Sequence, residues 1–136
     1  MGRGLDTMGQ AIRSFRDLRA YQKAYELQQR IFRVSRSWPQ EEKYALTDQV
    51  RRSSRSIGAN LSESWAKRDY PSHFVSKLTD ADGELQETSH WLSTAKDCDY
   101  LPADVCANLE ATLAEIGGMI GVMKSMPEKF KPSSSS

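Results

Sequence analysis

Residues 44–67 read Y-A-L-T-D-Q-V-R-R-S-S-R-S-I-G-A-N-L-S-E-S-W-A-K. Leu46, Val50, Ile57, Leu61 and Trp65 recur at helical spacing, which places them on one face and predicts a buried stripe. Beside it runs a polar stripe, Gln49, Arg52, Ser53, Ser56, Asn60 and Glu63, that a helix designed only for burial does not need. The small residues Ser53, Ser54, Gly58, Ala59 and Ser62 predict that another backbone comes close. A mid-helix glycine costs about 1 kcal/mol relative to alanine, so Gly58 calls for a packing reason.

Working outward, the upstream residues Ala20, Ala24, Leu27, Ile31 and Val34 form a second stripe, widened by Leu18, Tyr21, Tyr25 and Phe32. Pro39 stops that helix, and P-Q-E-E sets the start of the next near residues 40–44. Downstream, K-R-D-Y-P breaks the pattern and puts Pro71 in the first turn of a third helix. Its stripe is Phe74, Leu78, Ala81, Leu85, Thr88, Leu92 and Ala95. Pro102 opens a fourth, with Cys106, Leu109, Leu113, Ile116, Ile120 and Met123. Four long helices with short connections predict an all-α, antiparallel up-down-up-down four-helix bundle. The domain reading is a flexible leader over residues 1–14, a bundle over 15–126 and a disordered, polar, proline-rich tail over 127–136. Ser14 and Asp17 form a capping box at the first boundary. Gly117, Gly118 and Gly121 conflict with the fourth helix unless they pack closely, within the bundle or between subunits.

With 38% hydrophobic and 27% charged residues, the composition excludes a disordered chain. Unbroken apolar runs are only a few residues long, so no membrane association is expected. The first residues lack the apolar region of a secretory signal, and Asp6 replaces the hydroxyl residue that myristoylation at Gly2 requires; a cytoplasmic protein is expected. Cys98 and Cys106 make no disulfide framework. The net charge of +1 conceals a division: residues 1–69 carry +6 and residues 70–136 carry −5. Such a chain pairs its own halves, presents a basic surface to a polyanion, or docks onto copies of itself.

The candidate nucleic-acid-binding residues are Arg19, Lys23, Arg30 and Arg33 on the first helix, with Arg36 nearby, and Arg51, Arg52 and Arg55 on the second. Guanidinium groups suit phosphate because they donate two parallel hydrogen bonds and stay charged. The competing reading is a solvated face with intersubunit salt bridges. A structural polar network is expected through Gln49, Arg52, Asn60 and Glu63, meeting Glu84 or Glu87 on the third helix. No catalytic residue, metal or cofactor is assigned. The pair Glu87 and His90 occurs once where a di-iron bundle needs two such pairs, and neither His73 nor the cysteines have ligand spacing.

The run Q-V-R-R-S-S-R-S-I-G-A-N-L-S-E at residues 49–63 resembles the signature of a four-helix-bundle family named for proteins encoded in intervening sequences of bacterial 23S ribosomal RNA genes. F-R-D-L-R-A-Y-Q-K-A at 15–24, W-P-Q-E-E-K-Y-A-L at 38–46 and A-D-G-E-L-Q-E at 81–87 resemble its other helices in order. Where the family usually reads N-I-A-E-G, this chain has Asn60, Leu61, Ser62, Glu63 and Ser64, so the second helix is expected to run on longer. The resemblance implies a ring-shaped homo-oligomer, a pentamer, with no established enzymatic activity and a suggested role in binding RNA or DNA. It also implies kinship with accessory proteins of diversity-generating retroelements, which bind a reverse transcriptase and its RNA. Those relatives are strongly basic, whereas this chain is near neutral. A protein-protein adaptor, such as a reverse-transcriptase accessory subunit, is therefore the alternative to a nucleic-acid-binding ring.

Overall fold

Capping chemistry and proline placement divide residues 11–132, the part that the computed structural model describes, into four long helices and short connections. The Ser14 side chain accepts from the Arg16 N–H at 3.2 Å, and Asp17 Oδ2 accepts from the Arg13 and Ser14 backbones, so the expected capping box forms. It caps only the 3-10 turn Phe15–Asp17, because Leu18 turns extended (φ −67°, ψ 125°), buries its side chain and restarts the helix. Helix α1 is Arg19–Ser35. The predicted start of the second helix is a lead-in of changing pitch, a 3-10 turn at Gln40–Glu42 and a π turn at Lys43–Thr47, before α2 proper at Asp48–Ala66. The wider turn buries the adjacent Leu46 and Thr47 and leaves Tyr44 74% exposed.

Helix α3, Pro71–Asp97, begins on Pro71 as expected. It ends in a Schellman turn: Tyr100 N–H donates to the Ala95 carbonyl at 2.9 Å and Asp99 N–H to Lys96 at 3.0 Å, with Asp99 left-handed at φ 65°. Helix α4 is Ala103–Ser125. Each helix packs against its neighbours in sequence and α4 closes onto α1, giving the antiparallel up-down bundle. At one end Tyr100 ties the two outer connections together by donating to Glu42 Oε2 at 2.9 Å. That bond pushes the Tyr100 hydroxyl up to about 12.

The predicted stripes of α3 and α4 are buried in full, the polar Thr88 included. On α1, Ser35 is buried in place of the half-exposed Val34, and Tyr25 points outward. Gly58 has its packing reason: a Cβ there would lie 3.4 Å from the Tyr21 ring of α1. A Cβ at Gly117 would meet Leu85 at 3.7 Å, whereas at Gly118 and Gly121 it would meet nothing within 4 Å. By length and composition α4 is apolar enough to cross a membrane, although unbroken apolar runs are short; its large side chains fill the core and its outward ones are mostly alanine and glycine.

Both chain ends depart from expectation within the described residues. Ile12, assigned to the leader, is buried in the core. Residues 127–130, assigned to the disordered tail, form a 3-10 turn that buries Phe130 and stacks it on Phe74 with ring centroids 5.3 Å apart. Averaged polarity hid one aromatic whose partner lies on another helix. Residues 1–10 and 133–136, the remainder of those two segments, lie outside the described residues. Replacing Phe130 with alanine is expected to lower stability by about 3 kcal/mol. A urea midpoint equal to that of the unsubstituted protein would show that the turn only rests on the bundle.

Candidate nucleic-acid interface

Antiparallel packing brings the last turn of α1 against the first turns of α2, and there the structure gathers arginines around one ring. The guanidinium carbons of Arg51, Arg36 and Arg55 lie 4.8, 5.8 and 5.8 Å from the Phe32 centroid. Arg51 Nε donates to Ser35 Oγ at 2.9 Å, and that buried hydroxyl donates to the Phe32 carbonyl at 3.1 Å. Among the described residues no carboxylate lies within 4.0 Å of Arg33, Arg36, Arg51 or Arg55. The quadrupole of the ring attracts each cation, by about 0.5–1 kcal/mol at exposed sites, without cancelling its charge. The result is a positive patch on the α1–α2 seam, with Arg33, Arg36 and Arg55 exposed.

Three of the other predicted basic residues are spent within the bundle. Lys23 pairs with Glu115 of α4 at 3.4 Å. Arg30 donates to Asn108 and, at 3.2 Å, to Thr112 of the same helix. Arg52 donates to Gln49 Oε1 at 2.9 Å and pairs with Glu87 of α3 at 3.5 Å. Arg19 is half-buried at the start of α1, away from the cluster. Phe32 and Ser35 are absent from the predicted set, which has Arg36 only as a neighbour; the signal available is the four-residue spacing of Phe32 and Arg36 opposite R-R-S-S-R.

The predicted polar network forms in part. Gln49, Arg52 and Glu87 are joined, and Glu87 also accepts from Trp91 Nε1 at 3.2 Å. Asn60 and Glu63 do not belong to it. Antiparallel helices bring later residues of α2 against earlier ones of α3, so Glu63 meets Lys77 at 2.8 Å, while Asn60 donates to the Ser56 carbonyl of its own helix. The bond to Glu63 raises the Lys77 pKa. The histidines rest on aromatic rings, His73 on Tyr70 and His90 on Trp91. Among the described residues no three His, Cys, Asp or Glu side chains converge to hold a metal. Both cysteines are free, and burial pushes the Cys106 thiol up.

The fold is that of an all-α, four-helix bundle whose polar features are a basic seam and an interhelical network. Residues 16–122 match the family model described as 23S rRNA-intervening sequence protein, and the chain belongs to that family. A solved structure of a protein with unknown function from the S23 ribosomal protein family of Bacteroides thetaiotaomicron is similar to it, with a TM-score of 0.70 and 24% identity. The match covers 78% of this chain and 95% of the other and supports the fold. No curated protein matches.

Glu84 lies beside the network with its Oε1 buried and, among the described residues, without a hydrogen-bond partner. Burial first, and then the neighbouring Glu87, raise its pKa, against the opposing pull of Arg52. A carboxyl whose pKa is higher folded than unfolded binds more protons when folded, so stability falls as pH rises through its titration range. Glu84→Gln is expected to remove that loss, giving a higher denaturation midpoint than the parent at neutral pH and a flatter profile from about pH 4 to 7. Parallel profiles for the two proteins would rule it out.

Proposed function

We propose that this chain is a non-enzymatic, ring-forming helical-bundle protein that binds RNA or DNA through the arginines around Phe32. The observation that carries the reading is the gathering of three guanidiniums on one ring with, among the described residues, no carboxylate within 4.0 Å to neutralise them. A purely solvated basic face has no reason to order its cations in this way, whereas a phosphate-binding face gains from charges held in place. The family description names 23S rRNA, which makes RNA the first polyanion to test. The proposed setting is the cytoplasm, where both thiols stay reduced.

The test is a titration of labelled structured RNA, and of duplex DNA of equal length, at about 50 and 200 mM salt, where phosphate contacts lose orders of magnitude in affinity. The double substitution Arg51→Ala, Arg55→Ala is expected to weaken binding about tenfold or more and to reduce the salt slope by about 2. Lys23→Ala, which removes a cation already paired with Glu115, is expected to leave the slope unchanged. Absence of binding at the lower salt would overturn the reading.

A second reading, a protein-protein scaffold, is supported by α4. Ala107, Ala111, Ala114, Gly118 and Gly121 are all exposed at four- and three-residue spacing, with Val122 half-exposed beside them. Two glycines in open space lower helix stability, by about 1 kcal/mol each, for no benefit inside the chain. A close helix approach from another copy supplies that benefit, and the basic and acidic halves of the chain provide complementary docking surfaces. In light scattering the protein is expected to be a multimer, a pentamer by family resemblance, and Gly118→Leu to be a folded monomer. A Gly118→Leu multimer of unchanged mass would place the contact elsewhere.

A further inference from the structure

We infer that the Phe32 cluster selects an unpaired polynucleotide strand over a duplex; this rests on the nucleic-acid reading above. A duplex offers a helical surface its phosphates and hides the faces of its bases, and point charges suffice for phosphates. The cluster instead consists entirely of guanidiniums set against an aromatic ring. The planar guanidiniums of Arg36 and Arg55 lie 5.8 Å from the Phe32 centroid and both residues are exposed, which leaves them accessible to a ligand. Such a plane stacks a base and holds the adjoining phosphate by its edge, a combination that only a splayed strand satisfies.

A second candidate stacking surface precedes the α2 arginines of the cluster in the chain. Tyr44 precedes Arg51 by seven residues, in the π turn that leads into α2, and 74% of it is exposed. The Lys43 ammonium lies 5.3 Å from its ring centroid, and among the described residues no other aromatic ring pairs with it. Elsewhere, Tyr21 is set against Phe15, Tyr25 against Tyr21 and Tyr100 against Trp38. Tyr44 is a wet ring beside a cation on the basic half of the chain, the composition of a platform for unpaired bases.

The experiment measures the affinity of the full chain for an oligouridylate of about 20 nucleotides and for its duplex with oligoadenylate of the same length, at one low salt concentration. The single strand is expected to bind more tightly. Phe32→Leu, which keeps an apolar side chain and removes the ring, and Tyr44→Ala are each expected to lower the ratio of single-strand to duplex affinity about fivefold or more. Tyr44 is exposed enough that its variant keeps the test decisive even if Phe32→Leu misfolds. Equal, salt-sensitive affinity for the two probes, or a ratio that no folded variant of the two lowers, would overturn the strand preference assigned to this surface while leaving the nucleic-acid reading intact. Failure to bind either probe would overturn both.

Discussion

The hydrogen bond of 2.8 Å between Ser53 Oγ and Thr88 Oγ1 sets the register of α2 against α3, and the placement of the charged groups follows from it. Thr88 occupies a position in the buried stripe of α3 where a leucine would otherwise serve, and its hydroxyl also bonds to the Glu84 carbonyl at 2.8 Å. Ser53 likewise keeps a partner on its own helix, the Val50 carbonyl at 3.3 Å, so a slip of one residue forfeits the net value of one interhelical hydrogen bond, about 0.5–1.5 kcal/mol, a penalty that apolar contacts alone do not impose. In the observed register Arg52 faces Glu87 and Glu63 faces Lys77. The same rotation of α2 turns Arg51 and Arg55 toward α1, where Phe32 receives them.

The bundle holds its cations in two chemically different ways. Lys23 and Arg52 are held by carboxylates and Arg30 by neutral side chains of α4, so these residues serve the contacts between helices. Arg36, Arg51 and Arg55 are held by a ring, and Arg51 also by a hydroxyl. An exposed carboxylate pair contributes little stability and removes charge from the surface, whereas a ring restricts the side chain and leaves the charge available. The formal charge of +1 therefore understates how basic the α1–α2 seam is, because most acidic groups of the second half sit on α3 and α4.

How far the sequence can be read depends on whether a feature is local. The stripes of α3 and α4 are legible because a regular four-three repeat maps directly onto a straight helix buried along one face. The entry to α2 is not, since a π turn shifts the phase of the pattern by a residue and mimics an earlier start. Phe130 is invisible to composition because its partner, Phe74, is distant in the chain. The arginine site divides the same way. Its members on α2 stand out as a run, but Phe32 reads as part of an apolar stripe and Arg36 as a stray charge until antiparallel packing puts them opposite Arg55 and Arg51. Asn60 and Glu63 show the converse error, since one helical stripe need not meet one partner when the facing helix runs the other way.

The two proposed surfaces are compatible because they lie on different helices. The arginine cluster belongs to the seam of α1 and α2, whereas the outward small residues belong to α4, which packs against α1 and α3. In the proposed ring, copies meeting through α4 would repeat the cluster once per subunit. A single cluster of three arginines makes few phosphate contacts, and few contacts give weak binding at physiological salt. Repetition changes that balance, since each further engagement along one strand is intramolecular and raises the overall affinity without any new contact type. The proposed assembly and a near-neutral chain thereby fit together: moderate charge on each subunit would avoid repulsion across the interfaces, and the number of clusters, rather than the charge of any one, would set the strength of the grip.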